Sequence, residues 1–298
     1  MITAPIFRQM TRVICPFFLC CAVASTAARA QPKRFRPAPE YAQIGKPDQQ
    51  EGAKILREFQ ARGLYSGQNY IEFEFVIMPR RGDEKIVPGR MWSSRTDKGP
   101  ISRLVLFPGQ THRELRLLVQ SGPEPAAWQW RADSPTVQKM DTAAFFQPLA
   151  ETDVTLFDLQ LSFLYWRDFV FEGVSKLRGR PAHVFLLYPP SGVATEKSNL
   201  TGVRVYLDTQ YSAPVQFEEL GADAAVLKTV SVVDLKKIGD QWLVKSIDFR
   251  DETTRNKSRF SMTGAKTGAD FSSVLFEPAN LSESIAPPPV DQIQKIGL

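Results

Sequence analysis

The chain has 298 residues, 43% of them hydrophobic, with 20 phenylalanines, which is enough to bury a sizeable core in one large domain or two small ones. Its formal charge is +5, and three of those charges, Arg8, Arg12 and Arg29, lie in the first thirty residues without a single acid. A chain lacking that segment falls by three to +2, which argues against the clustered basic footprint of a nucleic-acid binder.

Residues 1–30 carry those arginines, an apolar run over 13–24, and Ala28-Arg29-Ala30. This is the order of a secretory signal, with cleavage expected before Gln31. The apolar run is short of the ~20 residues that cross a bilayer, and no later segment reaches that length. Cys15, Cys20 and Cys21 all fall inside the signal, so the mature chain is expected to hold no thiol, disulfide or cysteine metal ligand. The residues before them, Ile14, Leu19 and Cys20, are not the small residue that a lipoprotein signal needs. The expectation is a soluble periplasmic protein without a lipid anchor.

Residues 31–47, rich in proline and charge, read as a disordered lead-in in which Lys33, Arg34 and Arg36 form a solvated tail. Asp48 can then cap a helix over 48–64, with Glu51 three residues on, Ile55, Leu56 and Phe59 at helical spacing, and Gly63 as its stop. Period two takes over at 70–78, where Ile71, Phe73, Phe75 and Ile77 share one face and Glu72 and Glu74 the other. Further strands are predicted at 85–95, 101–107 and 111–120, and in a short segment where Trp128 and Trp130 share a face. Residues 140–169 break the pattern with Phe145, Phe146, Phe157, Phe163 and Trp166. Asp141 and Asp153 can cap two short helices there, with Pro148 between them. Strands resume at 169–177, 181–188, 202–208, 213–220, 226–238, 241–250 and 257–263, with Gly239-Asp240 as a hairpin turn. The tail from 277 to 298, with Pro287-Pro288-Pro289, reads as a loosely packed end.

The fold class that follows is α+β and mainly β, a single domain over 48–276: a curved antiparallel sheet whose concave face helices cover. Chemistry is sparse. His112 and His183 are the only histidines, too few for a zinc site without cysteine. No nucleophile elbow or phosphate loop appears. Glu218-Glu219 and Asp251-Glu252 are strand neighbours that point to opposite faces. Arg81-Gly82-Asp83 has the composition of an ordinary turn, and Asn199-Leu200-Thr201 matches a glycosylation pattern. An enzyme would need His183 or His112 beside a carboxylate in a cleft. The expectation is a non-enzymatic protein with no cofactor and no metal.

The aromatic residues remain. They either fill the interface between sheet and helices or line an apolar cavity. The cavity candidates are Phe73, Phe75, Leu115, Leu117, Trp128, Trp130, Phe145, Phe146, Phe157, Phe163 and Trp166. Arg90, Arg103, Arg113 and Arg131 either face solvent or meet an anionic head group at the cavity mouth.

Residues 153–190 read DVTLFDLQLSFLYWRDFVFEGVSKLRGRPAHVFLLYPP. The stretch resembles the outer-membrane lipoprotein-sorting, or LolA-like, family at Asp153, Asp158, Leu159, Gly173, Gly179, Arg180 and Pro189. Residues 203–208 followed by 214–220 resemble that family's hairpin, with Tyr206 where a tryptophan is often seen. The stretch 232–263 is similar to its later strands, with Gly239, Trp242, Asp251 and Thr253 in register. The resemblance covers residues 51–276. It implies an unclosed half barrel lidded by helices around an apolar ligand, in a periplasmic monomer that carries lipoprotein acyl chains or other lipids between inner- and outer-membrane sorting partners. Related branches act as lipid-binding sensors, so a sensor or protein-interaction module is the alternative. The matching positions look structural: Gly173 and Gly179 serve turns or bulges, Asp158 a helix start and Pro189 a strand end.

Overall fold

The computed structural model describes residues 46–62, 67–107 and 114–297. One run of hairpins comprises β1 (Gln68–Met78), β2 (Lys85–Thr96), β3 (Gly99–Leu106), β4 (Leu115–Gln120), β5 (Ala126–Arg131) and β6 (Ser134–Lys139). A second comprises β7 (Phe169–Leu177), β8 (Arg180–Leu187), β9 (Gly202–Asp208), β10 (Pro214–Leu220), β11 (Val226–Ile238), β12 (Gln241–Asp251) and β13 (Lys257–Ala269). The runs join where β1 lies antiparallel to β13, giving the order β6-β5-β4-β3-β2-β1-β13-β12-β11-β10-β9-β8-β7. The result is one unclosed antiparallel half barrel with β6 and β7 as its edges, the predicted fold class.

Most predicted strands form within a residue or two of their expected ends, and 202–208 and 226–238 keep their bounds. The strand predicted over 111–120 is seen from Leu115, its first residues lying outside those described. β6 and a short helix after β8 were not anticipated. β6 reads Ser-Pro-Thr-Val-Gln-Lys, with no apolar alternation, and forms because β5 offers it a partner edge. Between β8 and β9, Ser191-Gly192 opens a short helix, α3 (Ser191–Glu196).

Side chains alternate across every strand, so each β-strand feeds two layers. On β1 the inner face holds Ile71, Phe73, Phe75 and Ile77, all buried, while Tyr70 is buried on the outer face. The helix α1 (Gln49–Arg62) adds Leu56 and Phe59 to the inner core. Its first residue also blunts a sheet edge. The Gln49 amide accepts from the Phe171 N–H and donates to its carbonyl, both at 2.8 Å, as a neighbouring strand would. Gly52 permits this approach, since a Cβ there would stand 2.5 Å from the Phe171 Cβ.

The tail corrects its prediction. After Phe276 the chain straps the outer face, where Phe276, Leu281 and Ile293 bury against Tyr70, Trp92, Val105 and Leu118. Arg103 holds it. This side chain is 1% exposed, and its guanidinium donates to the carbonyls of Leu275 (3.2 Å), Asn280 (3.0 Å), Leu281 (3.2 Å) and Glu283. Burial and the charge of Arg116 pull its pKa down to about 10, which leaves it protonated at neutral pH. The strap ends as β14 (Gln294–Lys295), paired with Ala265 and Gly264 of β13. It occupies the flank that β12 leaves, because β12 pairs with β13 only over residues 246–250.

Arg103→Met should lower the unfolding free energy by about 3 kcal/mol, since it strands buried carbonyls that the guanidinium satisfies. Urea titration measures this, and a loss below about 0.5 kcal/mol would show that the strap is held by its apolar residues alone.

Candidate apolar binding site

The insert over residues 140–168 crosses the inner face as three short turns. Ala143–Phe146 is capped by Asp141, whose carboxylate accepts from the Ala144 N–H at 2.9 Å. The helix α2 (Leu156–Gln160) is capped by Thr155, not by the predicted Asp153. The Thr155 hydroxyl accepts from the Asp158 N–H at 3.2 Å and the Asp158 carboxylate from the Thr155 N–H at 2.7 Å, a reciprocal box. A left-handed Leu161 (φ 50°) then turns the chain into Ser162–Tyr165. Asp153 is used otherwise, exchanging two 2.8 Å hydrogen bonds with Ser258 of β13.

Five further ties fix this lid. Buried Lys228 on β11 donates to the Asp153 carbonyl at 2.6 Å and forms an ion pair with Asp158. The Gln160 amide donates to the carbonyls of Gln120 (3.4 Å) and Ala126 (3.1 Å). Gln60 of α1 reaches the Leu164 carbonyl at 2.6 Å. Beside Lys228, Glu219 pairs with Lys197, while burial and the Asp158 charge push its carboxyl above the usual range. The two carboxylates and two ammonium groups sum to zero, as a buried cluster requires.

Beneath the lid lies an apolar cavity of about 100 Å³, walled by Phe73, Phe75, Leu104, Leu159, Phe249 and Phe260 among others. On the far side of the insert, toward α3, an open cleft of about 700 Å³ is lined by Phe145, Phe146, Phe157 and Trp166 together with Lys139 and Met140. Tyr165 lines both.

The aromatic candidates therefore divide. Phe73 and Phe75 wall the cavity and Phe145, Phe146, Phe157 and Trp166 the cleft. Phe163 packs on Phe157 and Phe217, at 5.4 and 5.1 Å between ring centroids. Leu115 and Leu117 join the inner core without lining either space. Trp128 and Trp130 do not belong to the site. They share a face as predicted, but it is the outer one, because Ala127 takes the inner position of β5. The sequence passed over Met91, Leu104, Tyr165, Ile247, Phe249 and Phe260 as lining residues. Their alternation was readable, but nothing in it told which face the lid would cover.

The arginines also separate. Arg103 is buried under the strap, Arg131 pairs with Asp133 at 3.1 Å, and Arg90 sits 5.6 Å from the Phe107 ring. None of these three lines the cavity or cleft. Arg113 and His112 lie outside the described residues. His183 stands 5.9 Å from the Phe171 ring, its Nδ1 buried without a hydrogen-bond partner, and burial lowers its pKa. Among the described residues no group of three or more His, Cys, Asp or Glu could hold a metal. Gly173 (φ 104°) sits at a β-bulge and Gly179 (φ 89°) in a turn, as expected.

An unclosed antiparallel sheet with a helical insert lidding its inner face is the LolA-like half barrel. A domain described as an outer membrane lipoprotein-sorting protein from Vibrio parahaemolyticus superposes with a TM-score of 0.69 at 16% identity, over 79% of this chain and 100% of that one. A DUF1329 family protein from Desulfovibrio piger gives 0.66 at 14%, over 78% and 98%. A LolA superfamily protein from Nitrosomonas europaea gives 0.58 at 13%, over 76% and 96%. At these identities the likeness is one of fold. No curated protein matches the sequence. A family model whose description reads "uncharacterized protein" matches residues 105–283, more than half of the chain, and the chain belongs to that family.

Lys228→Met should cost about 3–5 kcal/mol, because Asp158 is left buried without its cation, and the double variant with Asp158→Leu should recover most of that. Thermal unfolding of the three proteins checks it; equal losses in single and double variants would contradict the pairing. His183 sets a pH dependence. Its folded pKa lies below the unfolded value near 6.5, so stability is fully present above about pH 6.5 and falls as pH drops toward the folded pKa. His183→Phe should flatten that part of the curve, and an unchanged slope would assign it to other groups.

Proposed function

We propose that this protein is a non-enzymatic periplasmic carrier that holds lipoprotein acyl chains or other lipids between sheet and lid. The observation that carries the reading is the pair of aromatic-lined spaces on the two sides of the insert, sharing Tyr165. The cavity of about 100 Å³ is below the ~300–1,000 Å³ of pockets that hold small organic ligands, whereas the cleft of about 700 Å³ is within it. A long chain would therefore occupy the cleft and pass Tyr165 into the cavity as the lid shifts. Each buried methylene contributes ~0.8 kcal/mol, so even a partly inserted chain outweighs one or two polar lid ties at about 1 kcal/mol each.

The predicted signal and the fold shared with a domain described as lipoprotein-sorting support this reading. Among the described residues no helix is long and apolar enough to cross a membrane. Inner- and outer-membrane sorting partners would load and unload such a carrier, and it would work as a monomer. The alternative is a sensor or protein-interaction module, favoured by the open side of the cleft, which would admit an extended peptide.

Protein purified from cells and extracted into organic solvent should yield lipid, and it should take up a fluorescent fatty acid. Met91→Trp, which fills the cavity from its β2 wall, should weaken that uptake about tenfold, the loss of roughly two buried methylenes. Lipid-free protein that ignores the probe, yet retains one protein partner from envelope extract, would favour the module instead.

A further inference from the structure

The far half of the β11–β12 hairpin lies outside the hydrogen-bonded ladder of the sheet, although its Gly239 turn sits beside Thr267 of β13. β10 pairs with β11 only as far as Ser231, and β12 pairs with β13 only from Ser246 onward. Residues 233–245 thus form a two-stranded ribbon with no ladder partner on either flank among the described residues. Such a ribbon is marginal by itself. It is anchored through its inner face, where Ile238 and Leu243 are buried in the core and Leu243 walls the cavity.

On the other face, Trp242 and Leu235 stand exposed. Lys237 stands opposite Trp242 and Leu235 opposite Val244, which puts Leu235 and Trp242 side by side. Trp242 is 67% exposed, Leu235 46% and Val233, at the adjoining bulge, 44%. One exposed apolar residue is ordinary, but three on one unsupported ribbon form a patch. Cations border it. Lys237, opposite Trp242, is exposed, and Arg178 reaches in from the β7–β8 turn to the Val232 carbonyl at 3.0 Å; among the described residues neither cation has a carboxylate partner. Lys236 stands opposite Leu243 and so belongs to the inner face. Of the ribbon's two acids, Asp234 is engaged by Lys245 at 3.5 Å, and Asp240 occupies the turn.

We infer that this ribbon docks the protein on an anionic lipid surface, with Trp242 and Leu235 at the level of the head groups and Lys237 and Arg178 among their phosphates. Tryptophan favours that boundary because its ring is apolar and its N–H polar. A protein partner is the poorer fit: three side chains fall far short of the ~800 Å² per partner that a stable interface buries. Reversible adsorption needs only an amphipathic aromatic and a few basic residues. Because the ribbon also walls the cavity, docking brings the cavity edge to the lipid. That consequence rests on the carrier reading, but the docking does not.

Co-sedimentation with vesicles tests it. The purified protein should bind phosphatidylcholine vesicles containing phosphatidylglycerol, should not bind phosphatidylcholine alone, and should release in high salt. Trp242→Ala and the charge reversal Lys237→Glu should each weaken binding about tenfold with unchanged thermal unfolding, since both side chains are exposed. Equal binding to both vesicle types, no binding, variants that bind like the parent, or Trp242-dependent self-association without lipid would each overturn the inference. Uptake of fatty acid without vesicle binding would remove the docking surface and leave the carrier. Vesicle binding without uptake would do the reverse.

Discussion

Because a strand sends its side chains alternately to two faces, a sheet that is apolar on both needs two covers. That constraint organises this molecule. β1 illustrates it, with Phe73 and Phe75 buried inward and Tyr70 buried outward. The insert at 140–168 supplies the inner cover and the C-terminal strap the outer one. Each is fixed by a buried cation, Lys228 for the lid and Arg103 for the strap. Both cations reach backbone carbonyls of the covering segment, groups that would otherwise be desolvated without a partner. The covers are thus specified by hydrogen-bond accounting as well as by apolar burial.

The magnitudes assign different tasks to the two kinds of contact. Leu156, Phe157, Phe163 and Leu164 are each buried, at roughly 2 kcal/mol apiece, so they supply most of the lid's hold on the sheet. The ties from Gln160, Gln60 and Lys228 are worth about 1 kcal/mol or somewhat more each, and they set where the lid lies. An apolar ligand could replace the first kind of contact without replacing the second.

The strap also shapes the sheet it covers. β14 lies on β13 opposite Gly264 and Ala265, where a full-length β12 would otherwise pair. Its neighbours point both ways, Ile293 into the outer core and Ile296 into the inner. The far end of the β11–β12 hairpin is thereby left without a ladder partner among the described residues and is anchored through Ile238 and Leu243. A segment that reads as a proline-rich end in the sequence is what separates this ribbon from the half barrel.

Local signals were legible wherever the cause was local. The two-residue period of β1, the Gly239-Asp240 turn and the bulge and turn glycines at 173 and 179 all follow from backbone geometry that neighbouring residues dictate. The fold class and the aromatic content of the site came with them. The sequence could not say which face of β5 would meet the lid, so Trp128 and Trp130 were placed in a cavity they do not touch. Nor could it say that Arg103, one of four strand arginines, would be buried by a tail 172 residues away. Asp153 likewise lost its capping role to Thr155 because Ser258, on a strand distant in sequence, claimed its carboxylate. What the sequence by itself determined was the alternation and its apolar content. Which face became core, cavity or exposed surface was decided only by the tertiary structure, since that depends on which remote segment arrives to cover it.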